Sequence, residues 1–116
     1  MSPQVVGPYT PVVAAGPWLV VSGQLGLKDG GLVPGGVSEQ VRQALANLAA
    51  LLSEHGANLS HVVKTTVFMT DIEDFHSVNT AYVAAFGEHR PARSAIAVAG
   101  LPLGASVEIE AWAYRP

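Results

Sequence analysis

Only two segments of this 116-residue chain have the apolar periodicity of a helix, and most of the other apolar segments are typical of strands. Because two helices cover only one face of a sheet built from so many strands, the apolar side chains on its other face need a different cover. A contiguous apolar surface of this kind usually marks an interface. We therefore expect an α+β domain that assembles into a homo-oligomer with closed rotational symmetry.

The predicted order of elements is β-β-(β)-α-β-α-β-β within a single domain. Residues 11–15 and 18–22 are expected to form a hairpin around a Gly-Pro turn, and Leu32-Val33 to add a short strand. The later strands are predicted at residues 61–70, 93–98 and 106–114. No repeat or linker divides the chain, so the domain is assigned to residues 1–116.

Capping residues give the limits of the two predicted helices. Ser38 is expected to be the N-cap of the first helix, with Glu39 in its first turn, and Gly56 to end it. Asp71 is expected to cap the second helix, which ends at Gly87. The second helix carries its apolar residues on one face, namely Phe75, Val78, Tyr82, Val83 and Phe86.

Alternation along the strands predicts a mixed, ferredoxin-like sheet with both helices on one face. Residues 61–70 are apolar on both alternating sides, which predicts burial of both. In the last strand the two sides differ, since small or aliphatic residues share one side and larger or acidic residues the other. The first side holds Val107, Ile109, Ala111 and Ala113, and the second holds Glu108, Glu110, Trp112 and Tyr114.

The charge content supports assembly. Asp, Glu, Lys and Arg make up 13% of the chain, against roughly 25% in ordinary soluble domains. About half the usual charge is left for the surface of a small domain, which favours burial of part of that surface against another subunit. The chain has no cysteine, so disulfides, thiolate metal sites and a cysteine nucleophile are excluded.

The N-terminal region is apolar but is interrupted by prolines and glycines, and it lacks the roughly 18 unbroken apolar residues of a membrane span. The first basic residue is Lys28, so a secretory signal with a basic start is not expected and the predicted location is cytoplasmic. A net charge of −3 gives little attraction for nucleic acid or an anionic membrane.

The histidines do not indicate a metal site, because none is paired with another at the short spacings of metal-ligand motifs. They are His55, His61, His76 and His89. The chain also lacks a phosphate-binding glycine loop and a GxSxG nucleophile motif. We therefore expect no metal.

Two features carry possible chemistry. Arg93 begins an otherwise uncharged strand, and its planar fork suits a carboxylate, either of Glu108 or Glu110 in a structural salt bridge or of a bound substrate. Glu108 and Glu110 lie on one face of an otherwise apolar strand, where two acids repel each other. They are interpreted either as partners of basic side chains across the sheet or as a general acid, a general base or a water-positioning group.

Six blocks of sequence form a recognisable set between about Gly7 and Ala113. They are Gly7-Pro8-Tyr9, Val21-Ser22-Gly23-Gln24, Val63-Lys64-Thr65-Thr66-Val67-Phe68, Val78-Asn79-Thr80-Ala81-Tyr82, Pro91-Ala92-Arg93-Ser94 and Val107-Glu108-Ile109-Glu110-Ala111. Taken together and in this order, they resemble the RidA (YjgF-like) family of reactive-intermediate deaminases. The resemblance implies a chorismate-mutase-like fold, a homotrimer and ligand sites between subunits. It also implies cofactor-free hydrolysis of enamines or imines such as 2-aminoacrylate and 2-iminopropionate to a 2-keto acid and ammonia.

The resemblance also implies roles for individual residues. Arg93 matches the arginine that holds the substrate carboxylate, and Glu108 matches the glutamate that positions the attacking water. Tyr9, Ser22, Gly23 and Asn79 match substrate-binding positions. Ala95 departs from the cysteine that many relatives carry two residues after the arginine, and the altered pocket is expected to change substrate preference while activity survives.

Two other functions are considered. The same cleft could hold a 2-keto acid or another small carboxylate without turnover, in a non-catalytic binding trimer. Some relatives carry the label of endoribonuclease or translation inhibitor. That function is disfavoured because six lysines and arginines in a chain of net charge −3 offer few phosphate contacts.

Overall fold

The computed structural model describes residues 5–116, so the first four residues of the predicted domain lie outside it. The strands are β1 (Val12–Ala15), β2 (Trp18–Leu25), β3 (Leu27–Lys28), β4 (Gly31–Leu32), β5 (Val62–Met69), β6 (Ala92–Ala97) and β7 (Val107–Tyr114). The helices are α1 (Val37–Ser53) and α2 (Phe75–Phe86). The α+β class and the predicted order of the main elements are confirmed.

The main sheet has five strands in the order β1-β2-β7-β5-β6, and β3 and β4 form a separate ribbon. Only β5 and β6 are parallel among these pairings, because α2 connects them as a crossover. This crossover leaves β6 at one edge of the sheet, beside the helix that precedes it.

Both helices cover one face of the sheet, as predicted. Thr65 and Val67 on β5, and Ile109 and Ala111 on β7, are fully buried on this face. α1 contributes most of the opposing core, with leucines at helical spacing. The fully buried members of this layer include Leu45, Leu48, Leu51 and Leu52.

The opposite face of the sheet has no such cover, and we call it the open face. Five large apolar side chains on this face are between 37% and 51% exposed. On β5 itself, the open-face residues Lys64, Thr66 and Phe68 are only half-buried, so the predicted burial of both sides of this strand is wrong for the single chain. Trp18 contacts Trp112 and Tyr114 edge to face, with ring centroids 6.1 and 5.0 Å apart. The exposed apolar residues on this face are Val13, Trp18, Ile96, Trp112 and Tyr114.

The predicted N-caps were wrong in detail. Gly36, with φ of 86°, precedes α1, and Ser38 lies inside the first turn without capping it. Asp71 accepts a hydrogen bond from the Glu73 backbone N–H at 2.9 Å, so it caps a short 3-10 turn that leads into α2. Neither α1 nor α2 itself therefore begins with a side-chain cap, and the Asp71 cap belongs to the short turn that precedes α2.

The second strand is longer than predicted. β2 continues past Ser22 to Leu25, and its pairing with β7 shifts between Val21 and Gln24. Val21 pairs with Ala111 and Gln24 pairs with Ile109, so β2 has one more residue than β7 between these two pairs. The extra residue makes Ser22-Gly23 a β-bulge. Bulges re-aim side chains, and this one lies beside Glu108.

No helix within the described part of the chain is both long and apolar enough to cross a membrane. Within residues 5–116, no three His, Asp or Glu side chains come together as a set of metal ligands.

Candidate active site

Arg93 projects from the edge strand β6 toward α2. It pairs in register with Thr65, which is buried on the helix-covered face. Its guanidinium carbon lies 4.9 Å from the ring centroid of Tyr82 and 5.7 Å from that of Phe75. Its side chain has no hydrogen bond or ion pair to any described residue. The N–H groups of the guanidinium are therefore available to a ligand.

The predicted salt bridge from Arg93 to Glu108 or Glu110 is wrong. On β5, Phe68 pairs with Glu108 and Thr66 pairs with Glu110, whereas Arg93 pairs with Thr65. Successive residues of a strand point to opposite faces, so both glutamates lie on the open face and Arg93 on the helix-covered face. Neither glutamate forms an ion pair with a described residue.

A cavity of about 370 Å³ opens beside Arg93, between α2 and the start of β6. Arg90 is also at this cavity, but its guanidinium donates to the carbonyl oxygens of Gly87 and His89, which ties it to the end of α2. The Oδ1 atom of Asn79 is buried without a hydrogen-bond partner among the described residues. The cavity is lined by Asn79, Tyr82, Val83, Arg90, Pro91 and Arg93.

This cavity explains why part of the predicted apolar face of α2 is not buried. Phe75 and Val83 are both 42% exposed, while Val78, Tyr82 and Phe86 are buried as predicted. The sheet ends at β6, so the outer side of α2 extends past the last strand and borders open space.

Tyr82 is the buried aromatic group of the cavity. Its hydroxyl lies 2.7 Å from Oγ1 of Thr65 in a buried hydrogen bond. Burial raises the pKa of Tyr82, although the Thr65 hydrogen bond and the charges of Arg93 and Arg90 act in the opposite direction. Tyr82 is therefore neutral at physiological pH, and its ring faces Arg93 as an uncharged surface.

Glu108 lies against the bulge of β2 on the open face. A Cβ built on Gly23 would lie 2.7 Å from both Cδ and Oε2 of Glu108, so any other residue at this position would displace the carboxylate from its present place. Desolvation by burial raises the pKa of Glu108, and the nearby charge of Glu110 raises it further. A carboxylate with a raised pKa is a better proton acceptor than an ordinary glutamate.

Ser22 lies in the bulge of β2, and Tyr9 lies in the segment before β1. Ser22 donates through Oγ to the carbonyl oxygen of Thr10 at 2.7 Å and through its backbone N–H to that of Pro11 at 2.9 Å. Tyr9 is exposed, and its hydroxyl accepts a hydrogen bond from the Val6 N–H at 3.3 Å. The two Ser22 bonds hold the N-terminal segment beside β2, and the Tyr9 bond lies within that segment.

The structure thus separates the predicted site residues into two groups. We call Arg93, Asn79 and the cavity around them the arginine half-site, and Glu108 with the Ser22-Gly23 bulge the glutamate half-site. Ala95 lies on the same face as Arg93, two residues along β6, and packs half-buried against the core. A single chain does not bring the two half-sites together, since they lie on opposite faces of the sheet.

Sequence reasoning missed the contribution of Tyr82, Phe75 and Thr65 to the arginine half-site. Tyr82 and Phe75 were assigned to an apolar helix face, and Thr65 to a buried strand. One signal was present: Thr65 is a polar residue on the buried face of β5, where a hydroxyl needs a partner. The identity of that partner depends on the packing of α2, which the sequence alone does not give.

The sequence matches the family model described as Endoribonuclease L-PSP over residues 1–115, and the chain belongs to this family. It is 46% identical to a Bos taurus 2-iminobutanoate/2-iminopropanoate deaminase, over 98% of this chain and 85% of that protein. It is 42% identical to the Escherichia coli protein of the same name, over 98% of this chain and 92% of that protein. The resemblance to the RidA (YjgF-like) deaminases is confirmed.

Solved structures agree with this assignment. The crystal structure of E. coli TdcF with bound serine has 37% sequence identity and a TM-score of 0.93, and it covers 99% of this chain and 94% of that chain. Such a score over nearly the whole length of both chains means that the sheet order and both helices correspond.

Proposed function

We propose that this protein is a hydrolytic deaminase of reactive 2-imino acids and their enamine tautomers, of the 2-aminoacrylate/2-iminopropionate type. The observation that carries the proposal is Arg93, a guanidinium beside an open cavity with no carboxylate of residues 5–116 bound to it. Two relatives that match nearly the whole chain bear the name of such a deaminase. TdcF binds serine, which carries the same α-carboxylate as a 2-imino acid.

The proposed substrate binds through its carboxylate, which receives a bidentate pair of hydrogen bonds from Arg93. Asn79 lies beside Arg93 and offers polar atoms to the imine end. Holding the substrate and a water in attack geometry supplies much of the acceleration, because the protonated C=N bond is already electrophilic. The site needs neither a covalent nucleophile nor a cofactor for this step.

In the proposed reaction, Glu108 accepts a proton from the attacking water as the oxygen bonds to the imine carbon. The product of this step is a tetrahedral carbinolamine. Transfer of a proton to its nitrogen and cleavage of the C–N bond release ammonia and leave the 2-keto acid. One water is consumed for each imine hydrolysed.

The proposal includes a homotrimer with its sites between subunits. Two features of the chain support it: the apolar open face, and the location of the half-sites on opposite faces of one sheet. Packing the open faces together would bury Trp18, Trp112 and Tyr114. The arginine half-site of one subunit would then meet the glutamate half-site of its neighbour.

Two other functions are weaker candidates. A non-catalytic carboxylate-binding trimer would use Arg93 in the same way but gives no role to the raised pKa of Glu108. The family description names an endoribonuclease. Six lysines and arginines against nine acids give little electrostatic attraction for an RNA backbone, and Arg90 is tied to the end of α2.

Turnover of an imine tests the proposed function directly. The imine is generated in situ by an amino acid oxidase acting on alanine or 2-aminobutanoate, and its disappearance is followed with and without the protein. We expect the wild type to accelerate hydrolysis and Arg93→Ala and Glu108→Ala to abolish most of the acceleration. Arg42→Ala and, at neutral pH, Glu110→Gln are the matched controls, since Arg42 pairs with Glu39 on the exposed side of α1 and Glu110 is two residues from Glu108 on the same face of β7. No acceleration by the wild type would refute the proposal.

A further inference from the structure

The guanidinium of Arg93 is held in an unusual way. Among the described residues its neighbours are two aromatic rings, with Tyr82 nearer at 4.9 Å and Phe75 at 5.7 Å from guanidinium carbon to ring centroid. Both distances lie within the roughly 6 Å over which a cation is attracted to a ring face. The side chain makes no hydrogen bond or ion pair to the rest of the described chain.

This arrangement differs in its consequences from the usual way of fixing an arginine. A carboxylate partner would hold the guanidinium but would also occupy its N–H fork and neutralise its charge. A ring face attracts the guanidinium through its π surface and leaves the N–H groups at the edge of the plane free. An aromatic support therefore orients Arg93 without competing with an anionic ligand.

The nearer ring is itself fixed in position. Thr65 is fully buried and pairs in register with Arg93 on the neighbouring strand, and its hydroxyl bonds the hydroxyl of Tyr82 at 2.7 Å. The strand that lies beside Arg93 therefore also sets the ring that supports it. Tyr82 is 4% exposed, so its ring has little freedom to move.

We infer that Tyr82, held by Thr65, is a positioning residue that orients the guanidinium of Arg93 for a substrate carboxylate, with Phe75 as a second and weaker support. This inference rests on the proposed function in one respect, that Arg93 receives the carboxylate. It predicts that loss of the Tyr82 ring weakens binding of the carboxylate and leaves the rest of the ligand's binding unchanged.

A pair of ligands separates positioning from general packing. Dissociation constants are measured for 2-oxobutanoate and for its methyl ester, which lacks the carboxylate charge, by NMR titration of the wild type and of Tyr82→Leu. We expect Tyr82→Leu to raise the dissociation constant of the acid by about 2- to 30-fold, the range that corresponds to a cation–π contact. The dissociation constant of the ester is expected to stay within about twofold of the wild-type value, because the uncharged ester interacts only weakly with the charge of Arg93.

Three further variants grade the effect. Phe75→Leu removes an exposed side chain that is not needed for the core, and it should shift the acid-to-ester ratio in the same direction by a smaller factor. Tyr82→Phe and Thr65→Val remove the same hydrogen bond but keep the ring, so both should shift the ratio less than Tyr82→Leu. If Tyr82→Leu does not fold, these three variants carry the test.

Phe86→Leu is the matched control. Phe86 is buried on the same helix and contacts Tyr82, with ring centroids 4.7 Å apart, but Arg93 does not stack on it. It should lower the melting temperature and leave the acid-to-ester ratio unchanged. In steady-state assays, Tyr82→Leu should raise KM for the imine with a smaller change in kcat.

The inference is overturned if the Tyr82 and Phe75 variants weaken acid and ester equally, or if they lower stability with no change in the ratio. Failure of the proposed function would look different. In that case the wild type would hydrolyse no imine, while the ratio for the two ligands would still respond to Tyr82→Leu.

Discussion

The arginine half-site and the glutamate half-site place opposite charges in opposite kinds of surroundings. Arg93 lies on the helix-covered face, near two aromatic rings and without an anionic partner among the described residues. Glu108 lies on the open face, beside a second acid and without an ion pair to any residue from 5 to 116. Each half-site therefore leaves a charge uncompensated by the described residues of its own chain. Charges that serve only stability are usually paired when they are partly buried.

The difference between the half-sites indicates a division of labour. The surroundings of Arg93 keep a cation free and oriented, which suits binding of an anion. The surroundings of Glu108 disfavour its ionised form, which suits acceptance of a proton. Under the proposed function, binding and proton transfer fall to different faces of the sheet, and two chains would be needed to unite them.

The largest expected effects separate the two half-sites by kinetic parameter. Glu108→Gln removes the proton acceptor but keeps the shape, so kcat should fall by about 10²- to 10⁴-fold with KM little changed. Arg93→Ala removes the anion-binding group, so KM should rise and kcat/KM should fall by about 100-fold or more. Steady-state kinetics on the in situ imine measure both. The same change of kcat and KM in the two variants would contradict the division of labour.

A smaller effect is expected from the bulge. In Gly23→Ala the new Cβ would lie 2.7 Å from Cδ of Glu108, so the carboxylate must move. A displacement of about 1 Å at a reacting group lowers the rate by up to about 100-fold, and we expect kcat to fall by 10- to 100-fold, with substrate affinity retained. Gly31→Ala is the matched control, because a Cβ there meets no atom within 4 Å. Wild-type kcat in Gly23→Ala would show that the position of Glu108 is not critical.

The pH dependence provides a subtler test of the glutamate half-site. The proton acceptor must be ionised, so kcat/KM should fall as the pH falls through the pKa of Glu108, which gives the pH profile an acidic limb. Burial and Glu110 raise this pKa above the ordinary glutamate value. Glu110→Gln removes one cause of the rise and should move this acidic limb to lower pH. Arg93→Lys, at the other half-site, should leave the position of the limb unchanged. An acidic limb that does not respond to Glu110→Gln would exclude Glu108 as the titrating group.

The smallest effect is expected at Ala95. Ala95→Cys adds one sulfur beside Arg93 at a half-buried position against the core. Such a small change of volume should alter stability by less than about 1.5 kcal/mol and change the relative kcat/KM of small and larger imines by a few-fold at most. Competition between imines made from alanine and from leucine measures this preference. Complete loss of turnover would mean that the cavity beside Arg93 is far less tolerant than its size suggests.

The order of elements could be predicted because it depends on local periodicity. The leucine spacing of α1 and the alternation along β7 each report a buried face without knowledge of the partner. The same periodicity placed Phe75 and Val83 on the core side of α2, where both are 42% exposed. The spacing of apolar residues predicts which side of a helix faces the core, but it does not predict how far the sheet extends beneath that helix.

The relation between the charged residues could not be predicted from the sequence. Arg93 and Glu108 are assigned to opposite faces only through the pairings of β6 with β5 and of β5 with β7, which are long-range contacts. The bulge at Ser22-Gly23 likewise arises from a shift against β7 and has no local signature. The candidate residues themselves came from a resemblance between motifs, which carries no information about which subunit each one serves.

The central claim is that Arg93 and Glu108 of different subunits form one site, and mixing two inactive variants tests it most directly. Arg93→Ala and Glu108→Ala chains are unfolded together in equal amounts, refolded and assayed for imine hydrolysis. In a randomly mixed trimer, each site receives an intact Arg93 from one subunit and an intact Glu108 from its neighbour with a probability of about one quarter. We predict recovery of about a quarter of wild-type activity, with none in either variant refolded alone. No recovery in trimers that contain both chains would contradict the shared site.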